Sequence, residues 1–136
     1  MSAAQNLSYS VIQVVHNFGA VATVGGSVIA TRLQDNVTRR KLANLVLIGW
    51  LTQALSGATF GMVTYHFYHQ LPDISGIAVY ALVIKMICAT LGILLLATYL
   101  WQCHRWTEQG KSKAWVSSSV LAITAISGAA FLRWFS

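Results

Sequence analysis

The sequence predicts an all-α integral membrane protein, a bundle of four helices that crosses the bilayer up-down-up-down with both termini on the outer side. Hydrophobic residues make up 56% of the 136-residue chain and charged residues only 9%, whereas soluble domains carry about 25% charged residues. Four segments are long and apolar enough for a bilayer, which needs about 20 such residues. Most of the basic residues fall in two of the connections between these segments, which fixes the predicted orientation.

The four predicted spans form a single domain, because only short connections separate them and short connections join antiparallel neighbours. The spans cover 9–31, 42–65, 76–101 and 114–135. The amino-terminal stretch "MSAAQNLSYS" is neutral and polar and lacks the basic start of a secretory signal. We therefore expect the first apolar segment to be retained as a span.

The basic residues predict the orientation. "RLQDNVTRRK" and "QCHRWTEQGKSK" are rich in Lys and Arg, whereas "HFYHQLPDIS" contains neither. Cytoplasmic connections carry an excess of Lys and Arg, so we expect the two basic connections on the cytoplasmic side of the cell's inner (plasma) membrane. The net charge of +6 belongs to these connections, and it does not indicate a nucleic-acid partner.

The cysteines exclude several kinds of site. Cys88 and Cys103 lie fifteen residues apart in one apolar segment, roughly 22 Å along a helix, so they cannot pair within the chain. The sequence has no CxxC or CxxCH spacing, which excludes zinc ribbons and covalent c-type haem.

Two basic side chains are predicted inside the membrane. His16 lies about seven residues into the first span and Lys85 about nine residues into the third, so both are roughly 10 to 13 Å from the outer face. On the fourth span, residues 127–129 (Ser-Gly-Ala) are predicted opposite them. A lysine at this depth is costly unless it finds a partner.

No span contains a carboxylate that could pair with Lys85, because the only acidic residues lie in connections: Asp35, Asp73 and Glu108. The acceptor for Lys85 is therefore a neutral group, one of these acids, a lipid, a partner chain or a bound anion. A haem propionate is one such anion.

Small residues follow His16 along its helix. Gly19, Thr23 and Gly26 fall within about 80° of His16 on a helical wheel. Such a strip serves close helix packing in membranes, or it leaves room for a flat macrocycle, in which case Gly19 and Gly26 line the cofactor. The second span repeats the theme at four-residue spacing, with Gly49, Gln53, Gly57 and Gly61.

The other histidines lie near span ends. His66 and His69, at the outer end of the second span, share one helix side and can hold copper or zinc; the alternative is an interfacial anchor. A bis-histidine haem needs ligands from two helices, and His16 with His66 is the natural pair. Their levels differ by about 8 to 10 Å on straight helices, so this pair requires tilt or a bent helix end. His104 lies at the opposite end, too far from His16 to share a site.

Two stretches carry a family resemblance. "VVHNFGAVATVGG" resembles the first-helix signature of CopD-like and HemJ-like membrane proteins, and "VIKMICATLGILLLATYLW" resembles their third helix, in which a lysine opens a leucine-rich run. The resemblance implies a four-helix bundle that binds haem b through the first-helix histidine, with Lys85 near the haem or substrate. It also implies protoporphyrinogen oxidation (HemJ-like) or copper handling (CopD-like). The chain departs from both families at Thr23–Val24, where a tryptophan often stands, and it has only three methionines for copper.

These observations lead to the hypothesis of a membrane b-type cytochrome subunit, which transfers electrons between the quinone pool and a partner on the outer side. His16 is the predicted axial ligand to haem b and His66 (or His69) the other, while Lys85 and Arg133 neutralise the propionates. The chain on its own is then an electron-transfer or anchor subunit of a larger membrane complex rather than a complete enzyme.

Three alternatives stay open. The first is a HemJ-like protoporphyrinogen oxidase in which Lys85 clamps substrate carboxylates. The second is a cofactor-free anchor subunit whose polar residues hold it to a larger complex. The third is CopD-like copper handling through His66 and His69, ranked behind haem because methionines are few.

Overall fold

The computed structural model, which describes residues 1–135, is all-helical. Its four long helices are α1 (Ala3–Arg32), α2 (Asn36–Tyr68), α3 (Ile77–Gln102) and α4 (Glu108–Phe135). A 3-10 turn, Cys103–Arg105, follows α3. Each of the four helices is long and apolar enough to span a membrane, which confirms the all-α class and the four membrane-length segments. Three helices also extend well beyond the predicted spans, because polar residues continue their ends.

Local side-chain chemistry sets the helix ends. Asp35 caps α2 by accepting hydrogen bonds from the backbone N–H groups of Val37 and Thr38. Together with a bond from the Thr38 hydroxyl, these bonds hold the pKa of the exposed Asp35 carboxyl below its ordinary value. At the other end, α2 stops at His69, whose backbone is left-handed with φ 53°. Gly76, with φ 57°, precedes α3, so this helix starts one residue later than the predicted span.

The outward faces of the helices are apolar. Val21 and Leu55 are each 69% exposed and Leu94 is 58% exposed, and similar side chains cover the other outward positions. Soluble proteins bury most such side chains. This surface is typical of contact with lipid, and the structure is that of a multi-pass membrane protein.

The helices α1 and α2 run in opposite directions. Near the start of α1, the Gln5 amide donates to the Tyr68 hydroxyl at 2.8 Å, and near its end Gly26 lies against Val46. Residues from the start of α1 thus meet the end of α2. The two helices pack closely along this length.

The helices α3 and α4 pair in the same antiparallel manner. Gly128 lies beside the Ala81 carbonyl, and the Tyr99 ring contacts the Trp115 ring at a centroid distance of 5.2 Å. The bundle therefore has a termini end, with the start of α1 and the end of α4, and a basic end, with residues 33–35 and 103–107. We call the two parts of the bundle the termini half and the basic half.

Large side chains fill the basic half. Trp50 and Trp115 are each 1% exposed, and Leu96 and Tyr99 are almost equally buried. Trp50 lies directly on Gly92 of α3: a Cβ placed on Gly92 would be 2.6 Å from the indole Nε1. Glycine at this position therefore sets how closely α2 and α3 approach.

An ionic cluster closes the basic end. The buried Arg39 donates from Nε to the Ala30 carbonyl and from Nη2 to Ser112 Oγ, both at 3.3 Å. Lys111 donates to Glu108 at 3.0 Å, and Glu108 lies 3.9 Å from Arg39. Arg39 and Lys111, both predicted in basic connections, thus lie in helices and are buried. They tie α1, α2 and α4 together.

Candidate functional site

Three polar side chains from three helices meet in the termini half. His16 of α1 lies between Lys85 of α3 and Ser56 of α2: its Nε2 is 2.9 Å from Lys85 Nζ, and its Nδ1 is 2.6 Å from Ser56 Oγ. We call these three residues the polar centre. The shared level of His16 and Lys85 that the sequence predicts is confirmed. Of the predicted kinds of acceptor for Lys85, the structure supplies a neutral one, an imidazole nitrogen.

Helix α2 holds His16 through three residues on one face. Ser56 contacts the ring nitrogen, Gln53 donates its amide N–H to the His16 carbonyl, and the Phe60 ring meets the imidazole edge-on at a centroid distance of 6.0 Å. Residues three and four apart share a helix face, so all three reach α1 together. Sequence reasoning singled out Gln53 but missed Ser56 and Phe60. Two polar residues at i, i+3 in an apolar span were the available signal.

The polar centre carries a basic group and lacks a carboxylate. Among the described residues, Asp35 and Glu108 lie at the basic end, and Asp73 lies in the connection before α3. Ser56 is buried, whereas His16 and Lys85 are each half-buried. The polar centre therefore keeps part of its surface open in the termini half, and a negatively charged group that reached Lys85 would meet no competing acid among the described residues.

The small-residue strip of α1 packs against α2. A Cβ on Gly19 would lie 3.1 Å from Gln53 Nε2 and 3.1 Å from the Gly49 carbonyl, and a Cβ on Gly26 would lie 2.6 Å from Val46. The expectation that Gly19 and Gly26 leave room for a cofactor is wrong, because α2 fills this space. The strip serves close helix packing, the other interpretation that the sequence allowed.

The glycine pair of α2, Gly57 and Gly61, differs from the glycine strip of α1 because it packs against no other described helix. A Cβ on Gly57 or Gly61 would meet nothing within 4 Å. The GxxxG motif of Gly57 and Gly61 thus makes no close helix contact within the described chain, although Gly49, two steps earlier in the same series, does.

The structure does not bring His66 or His69 to His16. His16 bonds Ser56, and His66 lies ten residues further along the unbroken helix α2, roughly 15 Å away along the axis. Residues 36–68 form one continuous helix, so His66 stays about three turns further along α2 than Ser56. His69 is three residues further still, and its ring lies edge-on to Tyr65 at 6.5 Å.

The remaining predicted positions lie apart from the polar centre. Arg133 is exposed at the end of α4, and His104 is exposed in the 3-10 turn at the basic end. Within residues 1–135, no three His, Cys, Asp or Glu side chains cluster so that they could hold a metal ion. The pair His66 and His69 therefore has no third His, Cys, Asp or Glu ligand in the part of the chain that the structure describes.

The donor set fits haem at one axial position. A histidine that binds a metal usually donates its other ring N–H to a neighbouring acceptor, and His16 Nδ1 has Ser56 Oγ at 2.6 Å for this purpose. Its Nε2 faces Lys85 Nζ, so ligation of iron requires the flexible Lys85 side chain to move aside. The predicted second ligand, His66, does not fit, because it lies too far along α2.

Comparison with known protein families, with known proteins and with solved structures finds no match to this chain. The resemblance to CopD-like and HemJ-like proteins stays a prediction from the two quoted stretches.

Proposed function

We propose that this chain is a b-type cytochrome subunit of the inner membrane, which holds haem b in the termini half through His16. The observation that carries the proposal is the polar centre. It is an imidazole anchored at Nδ1, with its second nitrogen facing a lysine that pairs with no carboxylate within residues 1–135. The proposal includes electron transfer between the quinone pool and a partner on the outer side. In the proposed orientation the helices cross up-down-up-down, with the basic end in the cytoplasm.

Each residue of the site has one role in this proposal. His16 provides the axial nitrogen, and Ser56 orients its ring. Lys85 leaves Nε2 and offers its ammonium group to a propionate, while Arg133, exposed at the end of α4, offers a second cation. Bound haem would supply one-electron chemistry. Other subunits are needed because the connections between the helices are too short to form a domain outside the membrane.

The test is a reduced-minus-oxidised visible spectrum of the purified protein, made in cells that synthesise haem, with a pyridine haemochrome assay alongside. We expect a b-type α-band with stoichiometric haem in the wild-type protein and its loss in His16→Ala. The matched control is His104→Ala, a histidine at the basic end, which should keep the haem. A wild-type protein without haem would overturn the proposal.

A cofactor-free membrane subunit is the second candidate, and specific contacts favour it. Both ring nitrogens of His16 already have partners within the chain, and the glycine strip is filled by α2. In this function the polar centre joins the helices α1, α2 and α3. The same spectrum decides between the two, since this candidate predicts no α-band and a folded protein.

The two remaining alternatives rank lower. Copper handling through His66 and His69 has no third ligand among the described residues. HemJ-like oxidation, with Lys85 as the anion clamp, has the cation at the polar centre in its favour. Adding protoporphyrinogen to the purified protein without oxygen, with a quinone as the electron acceptor, tests it: porphyrin fluorescence should then appear in wild type, with the quinone reduced, and fail to appear in Lys85→Met.

A further inference from the structure

The hydroxyl of Ser56 has a single hydrogen and three neighbours. Ser56 Oγ lies 2.5 Å from the Thr52 carbonyl and 3.4 Å from the Gln53 carbonyl, and 2.6 Å from His16 Nδ1. A carbonyl oxygen only accepts hydrogen bonds. If the Ser56 hydrogen goes to the Thr52 carbonyl, the Ser56 oxygen accepts from the imidazole. The opposite direction, with Ser56 donating to His16 Nδ1, would put the imidazole hydrogen on Nε2 and require Lys85 Nζ to accept it, which a protonated amine cannot do.

The direction of this bond determines where the imidazole proton sits. If Ser56 Oγ accepts, then His16 Nδ1 carries the hydrogen, and a neutral imidazole carries only one. Nε2 is then an unprotonated acceptor, in agreement with Lys85 Nζ at 2.9 Å, because an amine donates there. The four groups form one directed chain, from Lys85 through His16 and Ser56 to the Thr52 carbonyl.

We infer that Ser56 is a positioning residue that fixes His16 as the Nδ1–H tautomer and so leaves Nε2 unprotonated, the form that accepts from Lys85 and that could ligate a metal once Lys85 moves aside. Ser56 is only 6% exposed, and Gln53 anchors the same turn of α1 through the His16 carbonyl. The ring therefore has little freedom to turn over. The tautomer rests on contacts within the chain alone, whereas its use in binding iron rests on the proposed function.

The first test measures the tautomer without cofactor. ¹⁵N-histidine-labelled protein in nanodiscs gives the ring nitrogen shifts, with His16 assigned by its loss in His16→Gln. We expect Nδ1–H in wild type, a gain of the Nε2–H form in Ser56→Ala, and Nδ1–H again in Ser56→Thr, which keeps a hydroxyl. The matched control is Ser119→Ala, because Ser119 is also buried but bonds only the preceding turn, at the Trp115 carbonyl.

The second test uses haem-loaded protein. We expect Ser56→Ala to lower haem affinity by about 10- to 100-fold, the usual effect of removing a partner behind a ligand, and to change the reduction potential. Ser56→Thr should restore both, and Ser119→Ala should change neither. An Nε2–H tautomer in wild type, or an unchanged tautomer in Ser56→Ala, would overturn the inference. A haem-free wild-type protein would instead overturn only the proposed function, because the tautomer measurement needs no haem.

Discussion

Different interactions hold the helices together in the two halves of the bundle. The basic half is filled by large side chains, with Trp50 and Trp115 each 1% exposed, and Arg39 ties three helix ends together. In the termini half, small residues such as Ala78 and Ala81 provide the buried apolar contacts. Its central side chains are half-buried and held by hydrogen bonds. The comparison teaches that this chain separates the packing that holds the helices together from the polar groups that could do chemistry.

The separation has a physical reason. Inside a bilayer there is no hydrophobic drive to bring helices together, so association depends on close packing and on hydrogen bonds between helices. The rings around Trp50 supply the packing, and the polar centre supplies hydrogen bonds. The interior of the packed half is filled, so a ligand buried among the helices would have to lie in the other half.

The largest effect on stability should follow from removing a large buried side chain from the basic half. We expect Trp50→Ala to lower the free energy of unfolding by about 3 to 5 kcal/mol, the range for removing a buried aromatic ring. Thermal unfolding in detergent measures this change. The matched control is Trp134→Ala, because Trp134 is 82% exposed. Equal losses for the two variants would contradict the division into halves.

A smaller effect on stability should distinguish Gly92 from Gly57, two glycines that both lie inside apolar helices. In Gly92→Ala the new Cβ would lie 2.6 Å from Trp50 Nε1, and such overpacking costs about 1 to 3 kcal/mol. In Gly57→Ala the Cβ meets nothing within 4 Å, and alanine favours a helix by up to about 1 kcal/mol over glycine. The two melting temperatures should thus move in opposite directions, and a shared direction would contradict the packing around Gly92.

The polar centre should contribute little stability. In a double-mutant cycle of His16→Ala and Lys85→Met we expect a coupling of about 0.6 kcal/mol, the average for interhelical hydrogen bonds in membranes. Chemical unfolding of the four proteins measures it. The non-contacting pair His104 and Lys85 is the control, with no coupling expected. A coupling as large as the loss in Trp50→Ala would mean that both halves carry stability alike.

The smallest effect concerns the exposed cap of α2. Because hydrogen bonds from Thr38 and Val37 hold the pKa of Asp35 below its ordinary value of 3.8, the charged cap stabilises the folded state above that pH. The contribution disappears as the pH falls through the lower folded-state pKa. The melting temperature of Asp35→Asn should lie slightly below that of wild type at pH 7, and the two should converge in acid. A gap that widens in acid would contradict this sign.

Hydrophobicity and length were enough to predict the helices, and counting residues from the span ends was enough to predict that Lys85 and His16 lie at nearly the same depth. Both are properties of the sequence along single helices. Rotation of a helix about its axis is harder to predict. The small strip at Gly19 and Gly26 suits packing or a cofactor equally well, and only its contact with Val46 and Gly49 decides between them.

Other parts of the site depend on groups that no sequence motif distinguishes. Ser56 is one of many hydroxyls in the spans, most of which bond only the preceding turn, and its role follows from what faces it on α1. Arg39 looked like a residue of an exposed basic connection, but α2 begins earlier than its apolar stretch and buries it. The structure does not bring His66 to His16, because α2 continues to Tyr68, and an apolar pattern alone does not reveal where the helix ends.

The 2.9 Å contact between Lys85 Nζ and His16 Nε2 also limits the charge that this pair can hold. One hydrogen lies between the two nitrogens, and two fully protonated bases would have no lone pair with which to share it. The pair therefore carries either one positive charge or none, and never two. A proton added to a pair that already carries one charge must break the contact and separate the two side chains.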